Sequence, residues 1–559
     1  MPDVRPMGMT MITGTIRILA SAILAAPILA TAQSTPDHQA LFDAALAEHF
    51  TADAPGGVVL VAKGDQVLYE RAIGLADLAT KKPLTTASQL RIGSVTKQFT
   101  GVAILQLAEQ GKLKVTDEIQ KYVDFPRKEH PVTIEHLLTH TSGIPNFTDL
   151  PLYHAEAYAK EATLPELIAY FKDLPLEFEP GTKWSYSNSG YILLTAIVER
   201  ASGMSWTDYV AEHLLRPAGM AESSASLASA MLPNEPGLGY QPEGDGWIPA
   251  SPVSLTWPRG AGAIRSTVGD LWKWNTAVHK GPLLSPAMRE KAFTDHRLAD
   301  GSLSHYGYGW MFMNVQGSPT HEHSGGIDGA TSNVVYLPQE EIFVAVLVNR
   351  ESSDASALAP KLAAIALGKP YGGAEQPLPA ELAQQYTGVY VNADGVERYI
   401  TADVHGLHAQ RQGGGRFDLR YLGEDRFIYT HDVINLHFQR ADSKVTGALF
   451  QGRDREEKLT RTDKPLPVRK AIALQHADLQ PYVGEYELAP GFTLTFRTEG
   501  DRFFVRATGQ QEFEVFGSAP HEFFLTVVDA SMTFHPEADG AVNRLTFRQG
   551  GEMEGKRVK

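Results

Sequence analysis

The 559-residue sequence predicts an α+β chain, with helices packed on a mainly antiparallel sheet, followed by two small antiparallel β-barrels. Two observations carry that prediction. Strand-like runs stand at both ends of the first part, from Gly56 to Leu75 and from Asn333 to Val348, with amphipathic helical stretches between them. Beyond Arg350 short alternating strands take over, and one set of landmarks occurs twice.

At the amino end, Arg17 precedes an uncharged apolar run from Ile18 to Leu29, too short to cross a membrane stably, and Ala30-Thr31-Ala32 has a small-x-small cleavage pattern. Residues 1–32 are therefore expected to be a removable export signal, which gives a periplasmic or secreted protein without a stable transmembrane anchor. Gly56 to Leu75 reads as a hairpin around Gly64-Asp65, with Val59, Val61 and Val67 alternating in and out as edge strands. From Gly93 to Gly111, Phe99, Val102, Ala103, Leu105 and Leu107 recur at helical spacing, so a buried helix opens at Gly93-Ser94. Helices follow over Leu164 to Asp173, Ile192 to Ala201 and Trp206 to Leu215, then the strands Asn333 to Leu337 and Ile342 to Val348, then a helix from Ala355 to Leu367.

After a Gly368 to Gly373 linker, Tyr386-Thr387-Gly388-Val389-Tyr390 recurs as Tyr482-Val483-Gly484-Glu485-Tyr486, and Phe427, Phe438 and Phe450 recur as Phe523, Phe534 and Phe547. The expected domains are 37–368, 377–462 and 465–559. Neither repeat holds a serine, lysine and tyrosine set, so neither barrel is expected to be catalytic. Gly413-Gly414-Gly415 reads as a mobile hairpin turn, with an approach to the cleft as its alternative.

The chemistry centres on Ser94-Val95-Thr96-Lys97. Positions i and i+3 share a helix face, so Lys97 reaches the Ser94 hydroxyl in a chain that has no cysteine to act as nucleophile. Alone, such a tetrad also describes a capped helix with a solvated lysine. Two later segments change its meaning. Tyr186-Ser187-Asn188 offers a phenol that can pass protons and an amide that can hold a carbonyl or the lysine. His323-Ser324-Gly325-Gly326 offers close backbone approach along a strand, with the Gly326 N–H free to join that of Ser94 in an oxyanion hole.

These three elements, in this order, resemble those of the β-lactamase and penicillin-binding serine hydrolases, in the branch of class C β-lactamases and D-aminopeptidases. The segment His136 to Pro145, Gly260-Ala261-Gly262 with Ser266-Thr267, and Tyr306-Gly307-Tyr308-Gly309-Trp310 resemble the same branch, and the match covers roughly Asp37 to Arg350. The resemblance implies a β-lactamase/transpeptidase-like fold, with the active site between the sheet and an all-helical lobe. It also implies lipocalin-like carboxy-terminal barrels that restrict access to the cleft. Many members carry lysine where this chain has His323, which shifts weight from substrates with a free carboxylate to esters or to peptides cut from the amino end. Arg259 or Arg265 could restore the cation.

The mechanism expected is acyl transfer through Ser94. Lys97, its pKa lowered by burial and neighbouring positive charge, and Tyr186 share general-base work. Asn188 positions Lys97 and substrate, and His323 tunes Tyr186 or touches substrate. The substrate is a small molecule or short peptide, D-configured ones included, with esterase or β-lactamase activity and a slowly turning penicillin-binding receptor as alternatives. No metal or organic cofactor is required. His321-x-His323 followed by Asp328 lacks the ligand density of a zinc hydrolase, and no Gly-x-Ser-x-Gly elbow is present. His140 is expected to order its own loop. A net charge of -15 opposes nucleic-acid binding. The oligomeric state is left open.

Overall fold

A computed structural model describes residues 38–559 except 151–154, 229–231, 245, 374, 404, 431, 468–470, 490–491, 509–511 and 538. The export signal expected over 1–32 lies outside the described residues. The elements that matter for the site are α1 (His38–Ala47), β1 (Gly57–Lys63), β2 (Gln66–Ile73), α2 (Thr96–Glu109), α3 (Asn188–Ser202), β3 (Met311–Val315), β4 (Ser318–Ile327), β5 (Ala330–Leu337), β6 (Ile342–Val348) and α4 (Asp354–Ala366).

The run Ile-Phe-Val-Ala-Val-Leu-Val of β6 is buried at every position, as suits a strand covered on both faces. It is interior to an antiparallel sheet of order β2-β1-β6-β5-β4-β3, and Val346 pairs with Val59 on one side and Asn333 on the other. On one face α1 and α4 pack Phe42, Leu46, Leu358 and Leu362 against Val59, Val61, Val344 and Val346. Burying each such side chain is worth about 1.5–3 kcal/mol. The other face meets the helical lobe through Val58, Leu60, Phe99 and Ile104. The in-and-out alternation expected for β1 is therefore corrected: only Lys63 is exposed in that strand, because helices cover both faces. Of the hairpin, β2 is a sheet edge and β1 is interior.

Helix α2 runs through the centre of the domain, buried from Thr96 to Leu105, with the Trp274 ring stacked on Phe99 at 3.8 Å. Helix α3 begins at Asn188, four residues before the apolar run that announced it. The stretch from Trp206 opens as an α-helix capped by Ser205 and continues as a π-helix over Ala211–Leu215.

The two repeats are closed antiparallel eight-stranded barrels, the first with strands from Gly388–Val391 to Glu456–Arg461 and the second from Gly484–Ala489 to Glu552–Arg557. Their repeated aromatics fill the interiors: Tyr386, Phe427, Phe438 and Phe450 in one, Tyr482, Phe523, Phe534 and Phe547 in the other. The correspondence extends to backbone. Gly388 (φ +152°) and Gly484 (φ +149°) both need glycine, and beside them Arg461 donates to the Thr387 carbonyl as Arg557 does to that of Val483.

The Gly413 hairpin is corrected on both counts. It neither approaches the cleft nor stands free. Gly413 N donates to Asp529 Oδ2 at 2.9 Å and Asp529 N to the Gly414 carbonyl at 3.0 Å, which ties the first barrel to the second.

Candidate active site

Gly93, at φ +48°, turns the chain from a short strand into a 3-10 turn that presents Ser94 and runs straight into α2. A Cβ on Gly93 would sit 2.8 Å from the Gly326 nitrogen, so the nucleophile turn and β4 meet backbone to backbone. One helical turn on, Lys97 Nζ lies 3.0 Å from Ser94 Oγ, 2.8 Å from Asn188 Oδ1 and 2.9 Å from the Ala261 carbonyl. Burial pushes the Lys97 amine well below the ordinary lysine range. The neighbouring positive charge expected to assist is not needed, since desolvation is the whole cause. Two of the three partners are carbonyl oxygens, which only accept, so they take the two N–H bonds of a neutral amine and leave its lone pair for the Ser94 hydroxyl. That is the geometry of a general base.

The Tyr186 hydroxyl is hydrogen-bonded to Ser94, and its ring lies 4.8 Å from Lys97 Nζ. Burial raises the phenol well above its ordinary value, its hydrogen bond with Ser94 offsetting this only in part. Tyr186 is thus held as a neutral phenol. The Tyr186 segment is held from below by His140, whose Nδ1 accepts from Ser187 N at 3.1 Å and whose ring lies 4.4 Å from the Tyr186 ring. The expectation that His140 orders only its own loop is thereby widened. Asn188 N donates to Asn146 Oδ1 at 2.9 Å and its Nδ2 to Thr148 Oγ1 at 3.4 Å, two supports that the sequence does not announce.

In the third element the structure corrects the reading of His323. The residue is 1% exposed, its Nε2 bonds the Tyr306 hydroxyl at 2.8 Å, and its Nδ1 bonds the Ser324 carbonyl at 2.6 Å. A carbonyl can only accept, so Nδ1 carries the proton and Nε2 receives that of Tyr306. Burial first, then Lys97, pushes the imidazole down to about 3, so it is a neutral, inward-facing group that does not line the cavity. Its ring is 6.3 Å from that of Tyr186. Gly325 is required for packing, because a Cβ there would meet the Ile92 carbonyl at 2.1 Å. His321 is committed elsewhere, its Nδ1 lying 3.2 Å from His279 Nε2.

Of the residues read from the sequence, Ser94, Asn188 and Gly326 line a cavity of about 350 Å³; Lys97, Tyr186, His323, Ser324 and Gly325 stand behind it. The apolar part of its wall comes from Phe147, Val253, Pro258 and Ile327. Its charged residues are Asp328, which the sequence offered only as a possible metal ligand, and Glu351, which no local motif announced. Asp328 Oδ2 accepts from the Tyr158 hydroxyl at 2.8 Å. Glu351 accepts from Gly329 N at 3.0 Å, and burial, with Asp328 adding, raises its pKa. The compensating arginines are corrected: Arg265 pairs with buried Glu235 at 2.8 Å and Arg259 Nη2 donates to the Ala162 carbonyl at 2.6 Å, so neither lines the cleft. Arg91 feels Asp328 but is buried beside Glu235 at 3.7 Å. Among the described residues no barrel residue lines this cavity. Among the described residues there is likewise no group of three or more metal-binding side chains, and no helix is long and apolar enough to cross a membrane.

Comparison with known proteins agrees with this architecture. Residues 468–557, in the second barrel, match a domain of unknown function (DUF3471). Penicillin-binding protein 4* of Bacillus subtilis is 29% identical over 433 residues, 73% of this chain and 95% of that protein. Among solved structures, an octameric penicillin-binding protein homologue from Pyrococcus abyssi superposes with a TM-score of 0.53 at 24% identity, covering 84% of this chain and 97% of that one. A D-amino acid amidase from Ochrobactrum anthropi gives 0.50 at 23% identity over 59% of this chain and 96% of its own. Residues 41–368, more than half of the chain, match the Beta-lactamase family, and they carry the serine and its buried lysine; the protein belongs to that family and is a serine hydrolase.

Proposed function

We propose that this serine hydrolase is an exported amidase or aminopeptidase, which transfers to Ser94 the acyl group of small amides and short peptides bearing a free amine, D-configured ones included. The observation that carries the reading is the charge of the cleft. Its charged lining residues are the carboxylates Asp328 and Glu351, and its one nearby amine, Lys97, is buried and committed. Such a lining favours a substrate ammonium and opposes a substrate carboxylate. The D-amino acid amidase among the structural relatives is in keeping with it.

In the proposed reaction, neutral Lys97 takes the Ser94 proton as Oγ attacks the carbonyl carbon, and the N–H groups of Ser94 and Gly326 receive the oxyanion. That proton then moves from Lys97 by way of Tyr186 to the leaving nitrogen as the carbon–nitrogen bond breaks, which leaves both neutral again. Water, giving its proton to neutral Lys97, then attacks the acyl carbon, and that proton returns to Ser94 Oγ as the acid is released.

The test is a kcat/KM series over D- and L-amino acid p-nitroanilides with free or acetylated amines, p-nitrophenyl esters and a chromogenic cephalosporin. Free-amine anilides should lead, and acetylation should cost roughly tenfold or more, the value of one charge-assisted contact. Equal turnover of acetylated substrates would overturn the reading, dominance of the ester or cephalosporin would replace it with esterase or lactamase, and a stoichiometric burst without turnover would indicate a receptor.

A further inference from the structure

We infer that the first barrel is a positioning element for the catalytic strand, acting through Arg453 on Glu322. Arg453 lies in the turn between two barrel strands, Lys444–Gln451 and Glu456–Arg461, far from Ser94 in sequence. Its Nη1 donates to Glu322 Oε1 at 2.9 Å, its Nη2 to Glu322 Oε2, and its Nε to the Asn314 carbonyl at 3.1 Å. Asn314 answers: its backbone N donates to the Arg453 carbonyl at 3.1 Å, and its Nδ2 bonds the same oxygen. Thr320 Oγ1 donates to Glu322 Oε2 at 2.7 Å. The guanidinium therefore holds β3 through Asn314 and β4 through Glu322 at once.

The ion pair is dry as well as bidentate, with side-chain exposures of 12% for Arg453 and 4% for Glu322. Removing either partner would strand a buried charge, so the contact is not one that opens and closes freely. Tyr371, from the linker, also interacts with Arg453, so the linker is tucked into the junction.

The place of Glu322 in the sheet gives the pair its meaning. Strand β4 pairs with β3 only up to Glu322, opposite Met311, whereas its pairing with β5 runs on to Ile327. Glu322 is the last residue of β4 held from both sides. From His323 to Ile327, among the described residues, only β5 pairs with the strand, and this stretch carries Gly326 into the cleft beside Ser94. The distance between the Gly326 backbone and Ser94 is set by how firmly β4 is anchored where its double pairing ends, and the barrel supplies that anchor. A shift of about 1 Å in a reacting group can cost about a hundredfold in rate. Arg453 and Glu322 touch neither substrate nor reacting atoms; they are positioning residues.

The inference rests on Ser94 as the nucleophile and not on the preference for amines. The full-length chain is compared with Glu322→Gln, Arg453→Gln and Arg453→Lys. Ser94 acylation by a fluorophosphonate is followed as a rate per labelled site, kcat and KM are measured on the best substrate, and backbone hydrogen exchange is followed over 324–327. Each glutamine variant should acylate roughly tenfold more slowly, with KM within about twofold, and the double variant should be no worse than the worse single, because the pair acts as a unit. Arg453→Lys, which keeps the charge without the fork, should fall between. Exchange at 324–327 should rise severalfold while β6 stays protected. Rates per site and exchange at 324–327 equal to wild type in any folded variant would overturn the inference, as would loss of β6 protection in parallel. Should a glutamine variant fail to fold, Arg453→Lys and its hydrogen exchange decide between the two outcomes. Absence of label on wild-type Ser94 would instead refute the nucleophile.

Discussion

The Tyr306 hydroxyl and His323 Nε2 lie 2.8 Å apart, a bond that fixes the imidazole of the third element with its back to the cleft. A lysine placed there would enter a closed pocket beside Lys97, since nearby Lys97 already disfavours a charged His323. His323→Lys is therefore expected to cost about 2–4 kcal/mol of stability through an unpaired buried charge, without creating a preference for carboxylate-bearing substrates. Urea denaturation together with a substrate selectivity ratio checks both halves. Wild-type stability with a new taste for carboxylates would show that the residue faces outward.

Acid should weaken the fold as pH falls below the ordinary histidine range. His140, His279, His321 and His323 are all pushed down by burial, His321 to about 4 and His323 to about 3. Each binds its proton more weakly folded than unfolded, so the stability tied to its neutral form is present above the unfolded value of about 6.5 and is lost as pH falls towards the folded one, by up to about 1.4 kcal/mol per pH unit and group. Denaturation midpoints at several pH values from 7.5 down to 4.5 should fall steadily. A flat or rising series would contradict the burial of these rings.

Activity should keep its acid limb far below the range of an ordinary lysine. In the proposed reaction the working form of Lys97 is the neutral amine, burial lowers its pKa well below 10.5, and kcat/KM should rise with pH through that lowered pKa. Lys97→Arg, which stays charged, should lose about three orders of magnitude or more. A rate that climbs only above pH 10 in the wild-type profile would rule out the lone-pair arrangement.

The carboxylates offer a separate handle. Asp328→Asn and Glu351→Gln should each raise KM for free-amine substrates about tenfold, leave acetylated analogues within about twofold, and barely alter kcat, because they hold the substrate end remote from the reacting carbonyl. A kcat loss equal for both substrate sets would move these residues from binding into the chemistry.

What could be read along the chain follows from the range of each interaction. Ser94 and Lys97 were legible because three residues on a helix fix their meeting, and the barrels were legible because a repeat compares the sequence with itself. The orientation of His323 was not, for Tyr306 decides it from a neighbouring loop. Nor was the alternation of β1, since whether a strand has one covered face or two depends on helices at opposite ends of the first domain, α1 and α4. Asp328 and Glu351 come together only because β4 and β6 belong to one sheet, and Glu322 finds Arg453 across 131 residues.

The contact between Gly93 and Gly326 limits how this protein can be altered. A methyl carbon on Gly93 would lie 2.8 Å from the Gly326 nitrogen, so no side chain can be added at Gly93 without driving nucleophile and strand apart. Natural drift or laboratory selection for new substrates must then leave the floor as it is and work through the wall, at Phe147, Val253 and Ile327, where side chains of other sizes have room to vary. A library confined to those three positions should yield changed selectivity among folded, acylating variants, while one that randomises Gly93 should yield almost none.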